Sequence, residues 1–145
     1  MTIEELRILL ANILDRKNKN REAIYNSAKT HIGWDLSSQA PDELGCAESV
    51  SKIIQMSNPQ FPTFLSTTEM YSWLMGNWTQ VSSPARGDII ISPTGYGKSH
   101  GHVGILGDNY IYSNNSYTGR WSNNYTLQKW RKYYSTFPVL FFRTK

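Results

Sequence analysis

The chain has 145 residues, a formal net charge of +4 and one cysteine. That length suits one domain burying roughly two-thirds of its unfolded surface, and a lone cysteine excludes an intramolecular disulfide. One cysteine and three scattered histidines lack metal-ligand spacing, so no metal or other cofactor is expected, while the mild positive charge suits a polyanion such as cell wall or nucleic acid without demanding either.

The opening stretch MTIEELRILLANILDRK interrupts its apolar positions with charge, unlike a secretory leader. No apolar run approaches the roughly eighteen residues of a membrane helix. The chain is therefore expected to be made in a cytoplasm, with no signal peptide and no membrane insertion. Thr2 and Glu5 form a capping box, and Ile3, Leu6, Leu9, Leu10, Ile13 and Leu14 recur at helical spacing to about Arg16. The polar run DRKNKNR predicts a turn, followed by a second helix over 21–31 with Ala23, Ile24 and Ala28 inward. GWDLSSQAPDELG is loop-like.

From Cys46, the positions Ala47, Val50, Ile53 and Ile54 predict a third helix that stops before Asn58-Pro59. STTEMYSWLMGNW predicts a short fourth, capped by Ser66 or Thr67 and ending near Gly76. The pattern then changes. RGDIIIS, HGHVGILG, NYIYSN and FPVLFFRT are short strands rich in β-branched and aromatic residues, with an aromatic connection between the last two. Helices precede strands without βαβ alternation, which predicts an α+β fold: N-terminal helices on one face of a small antiparallel sheet. The expected organisation is a single domain over 1–145, with N-terminal helices over 1–33 and a cysteine helix plus sheet over 40–145.

Gly97-Lys98-Ser99 invites a phosphate-loop reading, but Ser92 stands where that motif needs a glycine, and a strand rather than a helix follows. The stretch KWRKYY mixes basic and aromatic residues without a nucleic-acid motif. Trp130, Tyr133 and Tyr134 can pack on the sheet with Lys129, Arg131 and Lys132 in solvent, so no nucleic-acid partner is expected.

Cysteine chemistry needs a thiolate, a base to form it and a group that orients the base. Cys46 opens a helix between Gly45 and Ala47, where free N–H groups and the helix dipole favour an anion. His102 heads HVGIL between Gly101 and Gly104, with little crowding around its ring. The next strand offers a third polar group. Tyr110, Tyr112 and Asn114 share one face, and Ile111, Ser113 and Asn115 the other. Asn114 is the first choice; Ser113 and Asn115 stay open, since a bulge at the strand end would change the face.

ELGCAESVSKII, SPARGDIIIS, GHVGIL and YIYSNNSYTGRW together resemble the CHAP and NlpC/P60 cysteine peptidases and amidases that cut bacterial peptidoglycan. The phage-encoded lytic enzymes look most alike. Arg86 replaces the proline of the family's PGD strand. The resemblance implies a papain-like fold, Cys46 as nucleophile, His102 as base and Asn114 as the third member. It implies hydrolysis of a peptidoglycan amide, either within the peptides (endopeptidase) or at N-acetylmuramoyl-L-alanine (amidase). It leaves access to the wall by holin-type release, virion delivery or injection.

A groove lined by Trp34, Tyr96, Tyr112 and Trp121 suits sugars and apolar peptide faces, and Lys98 and Arg120 suit anionic stem peptides. Glu48, two residues past Cys46, does not share its helix face and is read as satisfying a first-turn N–H. The competing readings are an acyltransferase or transglutaminase-like enzyme of the same fold and a non-catalytic wall-binding module.

Overall fold

The computed structural model describes residues 1–40, 45–93 and 101–145. Helix α1 runs over Ile3–Thr30, α2 over Cys46–Gln55, α3 over Thr67–Asn77 and α4 over Leu127–Tyr133. The strands are β1 Thr79–Val81, β2 Ile89–Ser92, β3 His102–Leu106, β4 Ile111–Asn114, β5 Trp121–Tyr125 and β6 Leu140–Arg143. They form one six-stranded sheet in the order β1-β6-β2-β3-β4-β5, every pairing antiparallel.

The four strands read from the sequence are β2, β3, β4 and β6. Three expectations need correction. The two N-terminal helices are one: α1 runs unbroken through DRKNKNR. That stretch holds no glycine or proline, and Asp15 pairs with Lys19 one turn on at 3.2 Å, so polarity there marks exposure rather than a turn. Second, the aromatic connection contains β5 and α4. Third, helices cover both faces of the sheet. Ile89, Ile91, Val103, Ile105 and Phe142 pack in one core with Ile24 and Ala28 of α1, Val50 and Ile54 of α2 and Met70 and Leu74 of α3. Ile90, Leu106, Ile111 and Phe141 pack on the other side with Trp130 and Tyr134 of the α4 region. The unalternating run Ile89-Ile90-Ile91 is buried throughout because both of its faces are covered.

Only the second half of α1 is seated. Arg86 bonds Glu22 at 2.9 Å and Asp108 at 3.2 Å and lies 4.7 Å over the Tyr25 ring. Arg86 thus holds α1 to the sheet. Gly87, with φ 88°, brings its backbone against the Arg21 carbonyl, where any Cβ would collide. Next to Gly87, the buried Asp88 accepts two bonds of 2.9 and 2.7 Å from Arg143 at the end of β6.

Candidate active site

Helix α2 begins at Cys46 because Gly45 can approach what no larger residue could. A Cβ there would lie 2.5 Å from Ser37 Cβ, 2.7 Å from Ser37 Oγ and 3.3 Å from Asn114 Nδ2. Among the described residues the helix has no side-chain N-cap, so none of their side chains claims its first N–H groups beside the sulfur. Cys46 is half-buried. Burial pushes its thiol up to about 11, and the backbone N–H groups of Ala47, Val103 and Cys46 itself offset only part of that. Cys46 packs against the core that includes Val103, the residue after His102 at the start of β3.

His102 is buried at 8% exposure. Its ring stacks on Trp130 (5.0 Å, 29°) and Tyr134 (5.9 Å, 14°), with Tyr125 tilted against it at 5.7 Å. Burial drives its pKa down to about 4. Nε2 is buried without a hydrogen-bond partner among the described residues. Near neutral pH the pair is therefore an uncharged thiol and an uncharged imidazole. The same site pushes the Tyr134 phenol up: burial is the main cause, with Tyr125 next and a smaller contribution from Cys46.

The alternation of β4 holds, Ile111 and Ser113 on one face and Tyr112 and Asn114 on the other, and the register shift against β5 between Ile111 and Ser113 leaves those faces unchanged. Asn114 is buried on the side of Gly45 and the Cys46 turn. Ser113 lies against Gly104, on the His102 face, and donates to Asn124 Oδ1 at 2.7 Å. Asn115 caps the following turn, its Oδ1 accepting from Tyr117 and Thr118 N–H at 2.9 and 3.3 Å.

Glu48 does not serve its own helix. Its fully buried carboxylate accepts N–H groups from Ser38, Gln39 and Ala40 at 3.0 Å each and the Ser38 hydroxyl at 3.0 Å, with Lys52 at 3.1 Å. Burial alone would raise its pKa. The Ala40, Gln39 and Ser38 N–H groups and the Lys52 ammonium outweigh that and bring it to about 2. It thereby ties the loop before Cys46 to the helix that carries Cys46.

Of the expected groove residues, Trp34 is exposed and set edge-on to His31 at 4.6 Å. Arg120 is exposed beside it, its guanidinium bonding the Gly33 carbonyl at 3.4 Å. Tyr112 and Trp121 are corrections: both are core. Trp121 is fully buried, its indole N–H bonding the Ala28 carbonyl at 2.9 Å, and Tyr112 packs edge-on to Tyr25 at 6.3 Å. Tyr96 and Lys98 lie outside the described residues. The sequence reading missed Trp130 and Tyr134 as walls of the histidine site. Their spacing of four on one helix was the available signal.

No family model matches the chain, and no curated protein matches it. A solved structure shares the fold: a chain of the type VI native effector-immunity complex Tae3-Tai3 from Ralstonia pickettii, with a TM-score of 0.59 and 19% identity over 85% of this chain and 97% of that one.

Proposed function

We propose that this protein is a cysteine-dependent peptidoglycan amidohydrolase of the NlpC/P60 or CHAP type, with a papain-like arrangement of helix and sheet. The observation that carries it is Cys46 at the N-terminus of α2, packed against the core that holds Val103, the residue after His102. The likeness in fold to a chain of a type VI effector–immunity complex supports the reading.

In this reading His102 takes the Sγ proton as the sulfur attacks the amide carbon. The oxyanion is met by the Cys46 N–H at the helix terminus. The C–N bond breaks as His102 returns the proton to the leaving amine. Water then splits the thioester, yielding the acid and the free thiol. Asn114, against the Gly45–Cys46 turn, positions the nucleophile. Ser113 and Asn124 are the polar pair on the imidazole face. Trp34 and Arg120 form an exposed aromatic-cationic edge suited to sugar and stem-peptide carboxylate.

The test is digestion of purified peptidoglycans by wild type and Cys46→Ala, with fragments and new amino ends identified by mass. Products made by wild type alone support the assignment and name the bond. Identical products from both would sink it. Amine exchange without release of free acid would replace hydrolysis by acyl transfer.

A further inference from the structure

Strand β2 reads Ile89-Ile90-Ile91-Ser92, and all four residues are buried. Three apolar side chains suit such a strand, whereas a fully buried hydroxyl at the fourth needs a partner. Ile90 packs in the core that holds Trp130 and Tyr134, and the two-residue period sets Ser92 on the same face. There its Oγ accepts the Trp130 indole N–H at 3.0 Å. An indole has one donor and no acceptor, so this bond fixes how the buried ring is turned.

Ser92 is also the direct partner of His102 across the β2–β3 ladder. It ends β2, and His102 begins β3, so the imidazole sits on the end rung and relies on neighbouring rings for cover. Trp130 is the nearest of them, at 5.0 Å, against 5.7 Å for Tyr125 and 5.9 Å for Tyr134. We propose that Ser92 is a positioning residue for His102 that acts through Trp130: the hydroxyl turns the indole, and the indole holds the imidazole in place and dry. The inference rests on His102 as the base of the proposed hydrolase.

The groups that face the ring are Ser92 of β2, Tyr125 of β5, Trp130 of α4 and Tyr134 at its C-cap, with Ser113 and Asn124 on the same side of the sheet. None of these is charged near neutral pH, burial having raised both phenols. Exclusion of water therefore governs the imidazole proton. Removing the Ser92 hydroxyl leaves a buried N–H without its acceptor. The indole then turns toward water, and the imidazole is wetted and displaced.

The experiment compares wild type, Ser92→Ala, Trp130→Phe and the double variant. The His102 ring is titrated by NMR, its signal assigned by loss in His102→Gln, and kcat and KM on peptidoglycan are measured against pH. Ser92→Ala should raise the ring's midpoint from about 4 by at least about one pH unit and carry the acid limb of kcat/KM with it. It should lower kcat roughly tenfold at unchanged KM. Trp130→Phe keeps an aromatic ring but needs no acceptor, so the double variant should match Trp130→Phe alone. A Ser92→Ala protein that is only less stable, with the midpoint and kcat of wild type, overturns the inference and leaves the hydrolase standing. So does an equal effect of Ser92→Ala in both backgrounds, because Ser92 would then act without Trp130. If wild type cuts no wall, the ring titration still decides: a raised midpoint in Ser92→Ala supports the hold on the imidazole while hydrolysis fails.

Discussion

The imidazole of His102 lies against the indole of Trp130, ring centroids 5.0 Å apart and planes 29° from parallel. The indole N–H is itself fixed by Ser92 Oγ at 3.0 Å. A ring clamped this way keeps its orientation but loses water, and the loss of water discourages its charged form.

The acid limb of activity should therefore sit low. With the His102 pKa held near 4, kcat/KM should persist to about pH 5 and fall near pH 4. Stability follows the same sign. The unfolded histidine binds its proton near 6.5, so protonation favours unfolding as pH falls from 6.5 to about 4. The full effect is about 3 kcal/mol. Titration of the imidazole followed by NMR checks this, and a midpoint near 6.5 would contradict it.

Cys46 should behave as a thiol at neutral pH. Its pKa of about 11 predicts slow alkylation by iodoacetamide at pH 7, rising steeply with pH beyond 9. Cys46→Ala and His102→Gln should each lower turnover at least about a thousandfold while leaving the fold intact. An alkylation midpoint between pH 5 and 7 would instead mean a resting thiolate–imidazolium pair.

Glu48 should govern acid stability in a lower window. Its folded pKa lies near 2 against an ordinary 4.5. Its contribution is complete above pH 4.5 and lost as pH falls toward 2, about 3 kcal/mol in all. Glu48→Gln places an amide among N–H donors and should cost about 2–3 kcal/mol at pH 7. Urea unfolding at pH 7, 4 and 2.5 measures both. The variant should also show faster amide exchange in residues 38–40, and a protected loop would argue against the tie.

Gly45→Ala should be harmful although alanine favours helices. Its Cβ meets Ser37 Cβ at 2.5 Å, so the turn carrying Cys46 must shift, at a cost of about 1–3 kcal/mol. Ser37→Gly removes the opposing Cβ and should restore part of the stability in the double variant. Denaturation of all four proteins in the cycle gives the coupling, and simple additivity would show that the two residues do not compete for space.

Two tryptophans should separate cleanly. Trp34→Ala should raise KM for peptidoglycan severalfold with little change in melting temperature. Trp121→Ala should cost about 3–5 kcal/mol, because the ring fills the core and its N–H holds Ala28. A destabilised Trp34→Ala or a stable Trp121→Ala would reverse these roles.

The sequence alone determined what local chemistry can encode. The capping box at Thr2, the break before Pro59 and the cap at Ser66 mark helix ends through hydrogen bonds that span three or four residues. The four strands in RGDIIIS, HGHVGILG, NYIYSN and FPVLFFRT declare themselves by β-branched and aromatic content. Cys46 at a helix start and His102 at a strand start follow from the same local rules. The tertiary structure decided which side each residue faces. The two-residue period sets Ser113 and Asn114 on opposite faces of β4, and the packing decided that Ser113 takes the side of Gly104 and Asn114 the side of Gly45. Trp34 and Trp121 are the same residue type in loop-like text. One stays in solvent and the other is buried, because β5 pairs with β4 and draws Trp121 beneath α1. Such pairings join residues far apart in the chain, and burial is settled only when both partners are in place.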